Sequence, residues 1–235
     1  MANLKSLAKD TAIYGLSSIV GRFLNYLLMP LYTHVISAAS GGYGVVTNLY
    51  AYTALILIIL IFGMETTLFR FANKADETLD TVFSTALSVV GVLSAIFLAG
   101  MFAFITPISE ALGYAEHPEY LLMMSGVVVL DAIQAMPLSY LRFQKKSIKF
   151  ASLKLLFIIL NIVLNVFYFV VLEKTDVSYV FSINLWCTGL ITFFFVPDFL
   201  KVKWHFDWAL LKRMLSYSWP ILLLGVAGIL NQAAD

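Results

Sequence analysis

Seven mostly apolar runs, each long enough to cross a bilayer, constrain this chain more than any other feature. They cover 11–36, 43–71, 82–105, 121–141, 151–172, 179–197 and 217–235. A spanning helix needs about 20 such residues, so the runs predict an all-α integral membrane protein. Composition agrees, with 61% hydrophobic residues and 12% charged. Soluble domains carry about 25% charged residues, so lipid is the main solvent expected here. Several runs exceed the hydrocarbon thickness, which predicts tilt or protrusion.

The lysines and arginines orient the runs, because cytoplasmic loops retain them. With the N-terminus inside, 13 of the 15 fall on the inner side, leaving Lys174 outside and Arg22 within the membrane. The outer loop 107–120 carries Glu110, Glu116 and Glu119 and no Lys or Arg. Lys5, Lys9 and Asp10 precede a run too long and too polar for a signal-peptide core, so the first helix is expected to stay in the protein. The net charge of +1 offers no polybasic surface for nucleic acid. Cys187 lies inside an apolar run and reads as a small buried hydrophobe.

Arg22 is the costliest residue in the sequence. A guanidinium at mid-membrane costs roughly 2.5–3.5 kcal/mol on insertion scales and usually marks a water-filled pathway. Ser18, Arg22, Asn25 and Met29 recur at helical spacing, which puts three polar groups on one face. That face is expected to look into an aqueous cavity that accepts something anionic. Asp131 sits at similar depth in the fourth run, followed by Gln134, Ser139 and a helix-interior Pro137. Two readings stay open: Arg22 neutralises Asp131, or the two are apart and Arg22 reads a phosphate.

Other polar positions fall on helix faces. Asn48 and Tyr52 lie one turn apart in the second run, which ends with Glu65 and Arg70. These two are five residues apart, so they do not share a face, and each is expected to meet a different partner. Ser84, Ser88, Gly91 and Ala95 form a small-residue face expected to be a packing seam. Lys154, Ile158, Asn161, Asn165 and Tyr168 share one side of the fifth run. Asparagines there either bridge helices or line a cavity. Arg142, Lys145, Lys146 and Lys149 form a basic inner patch for lipid headgroups, a substrate phosphate or a partner enzyme.

Beyond Pro197, Asp207 can cap a short amphipathic helix carrying Trp208, Leu211 and Leu215 opposite Lys212 and Arg213. It is expected to lie on the inner surface, with a further helix starting at Trp219-Pro220. The division expected is therefore a six-helix lobe at 1–197, a cytoplasmic amphipathic connector at 198–216, and the start of a second lobe at 217–235. Transporters are often built from two repeated halves, so the chain reads as a fragment of a longer one.

Four stretches together resemble a known family. They are Gly21-Arg22, then Gly42-Tyr43-Gly44 closed by Gly63-Met64 and Arg70-Phe71. Arg142 with Lys145 and Lys149 follows, and then Phe206-Asp207-Trp208 through Leu210-Leu211 and Met214-Leu215 to Ser218-Trp219-Pro220. In order and spacing the chain resembles the polysaccharide biosynthesis flippases of the MOP superfamily, relatives of the multidrug and toxin exporters. The resemblance implies two six-helix lobes around a central cavity, worked by alternating access. The substrate implied is an undecaprenyl-diphosphate-linked oligosaccharide, carried to the outer leaflet of a bacterial inner membrane for surface polysaccharide or O-antigen (lipopolysaccharide) synthesis. It also implies a cationic cavity residue at Arg22, with Asp131 and Asn25 less directly, and polysaccharide polymerase and glycosyltransferases as partners.

A guanidinium suits a diphosphate through bidentate, charge-assisted hydrogen bonds. Ser18, Asn25, Asn48, Gln134, Asn161 and Asn165 can serve sugar hydroxyls. No cofactor or metal is expected, although coupling to an H+ or Na+ gradient is compatible with the fold. A cation-coupled exporter of small molecules is the nearest rival, with Asp131 as its coupling group. An enzyme fits poorly, because His34 and His117 fall at one face and His205 at the other.

Overall fold

The computed structural model describes residues 12–15, 28–36, 42–74 and 77–234. Regular structure among them is entirely helical. Helical stretches at 12–15 and 28–35 precede α1 (Gly42–Ile61), α2 (Met64–Ala72), α3 (Leu79–Ala103), α4 (Ile105–Ala111) and α5 (Pro118–Phe143). There follow α6 (Ser147–Val166) with a π-turn at Phe167–Val171, α7 (Ser178–Phe193), α8 (Val196–Lys201) and α9 (Trp208–Ala234).

Five spans among the described residues are long and apolar enough to cross a membrane: Gly42–Ala72, Leu79–Ala103, Pro118–Phe143, Ser147–Val171 and Ser178–Lys201. They are the second to sixth runs of the sequence. The α5 span has 67% of its apolar window inside the protein, against 17% for the α1–α2 span, so α5 is the core helix. The others show large apolar side chains outward, such as Trp186 at 76% exposure and Ile96 at 65%, as lipid contact requires.

The chain divides into two compact units. One comprises 1–48 and 141–191; the other comprises 49–140 and 192–235. In the first, the Tyr32 ring meets Tyr43 at 6.2 Å and Phe169 at 5.7 Å, over a core that includes Phe150, Ile158 and Phe181. In the second, α9 packs against α2 and α3.

Two elements depart from the sequence reading, and they meet each other. The second run is broken rather than continuous, because Phe62 (φ 51°) and Gly63 (φ 66°) are both left-handed. Glycine takes that conformation freely, whereas an L-residue such as Phe62 costs roughly 1–2 kcal/mol there. The break is held by α9: Phe62 lies 6.0 Å from the Trp219 ring, and a Cβ on Gly63 would stand 3.1 Å from Ile221 and from the Ser218 carbonyl. The expected helix start at Trp219-Pro220 is likewise absent, since α9 runs unbroken from Trp208 with Pro220 inside it. Proline removes one ladder hydrogen bond. Leu210, Met214 and Ser218, all at 0% exposure and spaced by four, offset this by packing. Within 208–218, protein therefore covers Leu210, Leu211, Met214 and Ser218, while Trp208 stays exposed.

Asp207 does cap this helix, as its position predicts. Its Oδ1 accepts the Ala209 N–H at 2.7 Å and the Leu210 N–H at 3.1 Å.

Candidate functional site

Arg22, Asn25 and Ser18 lie outside the described residues. The other expected cavity residues fall into separate settings.

On α5, Asp131 and Gln134 are three residues apart and share a face. Asp131 is half-buried; Gln134 is buried, and its Nε2 donates to Thr192 Oγ1 on α7 at 2.8 Å. Asn48 is exposed on α1.

Asn161 and Asn165 form a buried network on α6. The Tyr32 hydroxyl donates to Asn165 Oδ1 at 2.7 Å. Asn165 Nδ2 donates onward to the Asn161 carbonyl at 2.8 Å and to Asn161 Oδ1 at 3.0 Å. Asn165 is 0% exposed, so its amide acts here as a bridge between α6 and the 28–35 helix. Tyr32 was not singled out by the sequence reading, yet it continues the face of Ser18, Arg22, Asn25 and Met29 at helical spacing. Extending that stripe one more turn would have found it.

The basic patch follows α5. Arg142 is half-buried with its guanidinium 5.9 Å from the Phe150 ring centre. Lys145 adopts a left-handed backbone (φ 57°), and both it and Lys146 are exposed, while Lys149 is half-buried.

A polar cluster unforeseen in its pairing ties α2, α3, α5 and the approach to α9. Glu65 accepts from the Ser139 hydroxyl at 3.4 Å, and Arg70 lies 3.9 Å over the Tyr217 ring, so the two do meet different partners. Asp80 accepts the Tyr140 hydroxyl at 3.1 Å and the Lys203 N–H at 3.4 Å. Ser84, the first residue of the expected packing seam, donates to the His205 carbonyl at 2.6 Å and accepts the His205 N–H at 3.3 Å. Arg213 pairs with Glu77. These partners come from distant parts of the chain, which is why local patterns did not show them.

An apolar cavity of about 160 Å³ lies between α1, α3, α4 and α5, lined by Tyr52, Met101, Ile108, Leu121, Met124 and Val128. It has no charged wall and so offers nothing to a phosphate. Among the described residues, no group of three His, Cys, Asp or Glu side chains could hold a metal. Cys187 is buried at 2% exposure, as expected.

Five helices long and apolar enough to cross a membrane, with regular structure among the described residues entirely helical, make this an all-α integral membrane protein. Across residues 7–235 the sequence matches the family described as polysaccharide biosynthesis protein. The chain belongs to that family. No curated protein and no solved structure matches it.

Proposed function

We propose that this chain is a transporter lobe that flips an undecaprenyl-diphosphate-linked oligosaccharide across a bacterial inner membrane by alternating access, with its N-terminus in the cytoplasm. The family match over 7–235, on a chain with a guanidinium in the middle of a spanning run, carries the reading. Arg22 binds the diphosphate, since a desolvated guanidinium makes paired hydrogen bonds to phosphate oxygens. Asn25, Ser18, Asn48 and Asp131 meet sugar hydroxyls, while Gln134 ties α5 to α7 through Thr192. Asn161 and Asn165 act through Tyr32, holding the helical stretch at 28–35. The prenyl tail stays in the bilayer, so the cavity shelters only the head group.

The basic patch Arg142, Lys145, Lys146 and Lys149 meets phosphate at the cytoplasmic entrance, where glycosyltransferases deliver the glycan, and polysaccharide polymerase receives it after transfer. The family and the membrane helices support a transporter rather than an enzyme.

Complementation of a strain lacking its surface-glycan flippase tests this. The full-length protein with Arg22→Ala should fail to restore surface glycan, Arg22→Lys should restore it partly, and Asp131→Asn should retain it. Full restoration by Arg22→Ala would sink the phosphate role. Loss in Asp131→Asn alone would favour the cation-coupled exporter.

A further inference from the structure

The stretch between α8 and α9 displays what a folded chain normally hides. Leu200 is 81% exposed, Trp204 55%, Phe206 42% and Trp208 70%. Trp204 and Phe206 lie in the non-helical stretch 203–207, and Trp208 follows as the first residue of α9. The segment is pinned rather than loose. Its backbone at Lys203 and His205 is held by Asp80 and Ser84 of α3, and the Trp204 indole N–H donates to the Phe199 carbonyl at 3.0 Å. The Phe206 and Trp208 rings pack edge to face at 5.2 Å.

Charge sorts the same way. Asp207 turns onto the α9 N-terminus, Asp80 accepts from Tyr140 and Lys203, and Glu77 pairs with Arg213. Lys201, Lys203 and Lys212 remain exposed beside the aromatic residues. The preceding span shows Trp186 and Phe193 outward, at 76% and 68%, so its lipid-facing side leads toward this segment.

We infer that Trp204, Phe206 and Trp208, with Lys201, Lys203 and Lys212, form an anchor that docks on the anionic headgroup layer of the membrane. Indole and phenyl rings settle at the headgroup level, and lysines reach the lipid phosphates from there. This moves the surface contact from the Leu211 side of 208–218, where Leu211 is buried, to Trp208 and the segment before it. Docking holds the point where α9 departs from α3 at a constant depth.

The full chain in lipid nanodiscs with Trp186→Phe and Trp219→Phe leaves Trp204 and Trp208 as the emitters. Phospholipid brominated high on the acyl chain should quench them, and brominated phosphatidylglycerol should do so at lower mole fraction than brominated phosphatidylcholine. Each lysine removed by Lys201→Ala, Lys203→Ala or Lys212→Ala should cut that preference, by about five-fold at most. Equal quenching by the two lipids would overturn the headgroup recognition. Emission untouched by either lipid but quenched by aqueous iodide would overturn the anchor and leave the aromatic side to a protein partner. Photoactivatable phosphatidylglycerol on the unaltered chain gives a second measurement independent of the variants. Labelling at 199–208 is expected, and its absence contradicts the inference.

Discussion

The Tyr32 hydroxyl donates to Asn165 Oδ1 at 2.7 Å, with Asn165 wholly buried. This bond joins α6 to the helical stretch at 28–35. Hydrogen bonds between membrane helices average about 0.6 kcal/mol and reach about 1.7. A double-mutant cycle with Tyr32→Phe and Asn165→Leu should therefore return a coupling of about 1 kcal/mol, read from unfolding in detergent. Additive effects would mean that the bridge contributes nothing.

Gly63 and Gly228 should respond oppositely to alanine. Gly63 is left-handed, with Ile221 and the Ser218 carbonyl 3.1 Å from where a Cβ would stand. Gly63→Ala should lose at least about 1–2 kcal/mol from backbone strain alone. Gly228 has open space at its Cβ position, so Gly228→Ala should be neutral or stabilise α9 by up to about 1 kcal/mol. Thermal midpoints of the two variants make the comparison.

Asp207 gives the α9 cap a pH signature. Hydrogen bonds from the Leu210 and Ala209 N–H groups hold its carboxyl below its ordinary value of 3.8. A depressed carboxylate stabilises the fold above its unfolded-state value, and the contribution is lost as pH falls through the lower folded value. Exchange protection at Ala209 and Leu210 should thus be constant near neutrality and drop only in acid below 3.8. Asp207→Asn should keep the cap without the acid dependence, and Asp207→Ala should lose it at every pH.

Within the polar cluster, burial ranks the contacts. Ser84 is 1% exposed and bonds His205 on both backbone groups, so Ser84→Ala should cost about 1–3 kcal/mol and unprotect the 203–205 amides. Arg213 is about half exposed, so breaking its pair with Glu77 by Arg213→Ala should cost no more than about 1 kcal/mol. Hydrogen exchange and unfolding of the two variants check the order.

The spans were legible because a bilayer admits few sequences, and runs such as 82–105 or 151–172 have no polar alternative. The Phe62-Gly63 break was not, since its stability depends on Trp219 and Ile221, far along the chain. Pro220 misled for the same reason: proline is a local stop signal, and the packing of Leu210 and Met214 overrides it. The polar stripe through Asn161 and Asn165 was visible as periodicity, but only its tertiary partner Tyr32 decides that Asn165 bridges helices. Asp207 was read correctly because an N-cap needs nothing beyond the next three residues.

The central claim is that Arg22 reads a lipid diphosphate. Its most direct test is the purified full-length protein in proteoliposomes holding a fluorescent undecaprenyl-diphosphate-linked oligosaccharide, with transfer followed by accessibility to an added glycosidase. The account predicts that Arg22→Ala abolishes transfer while Asp131→Asn retains it with no ion gradient applied. Transfer by Arg22→Ala at the unaltered rate would contradict it.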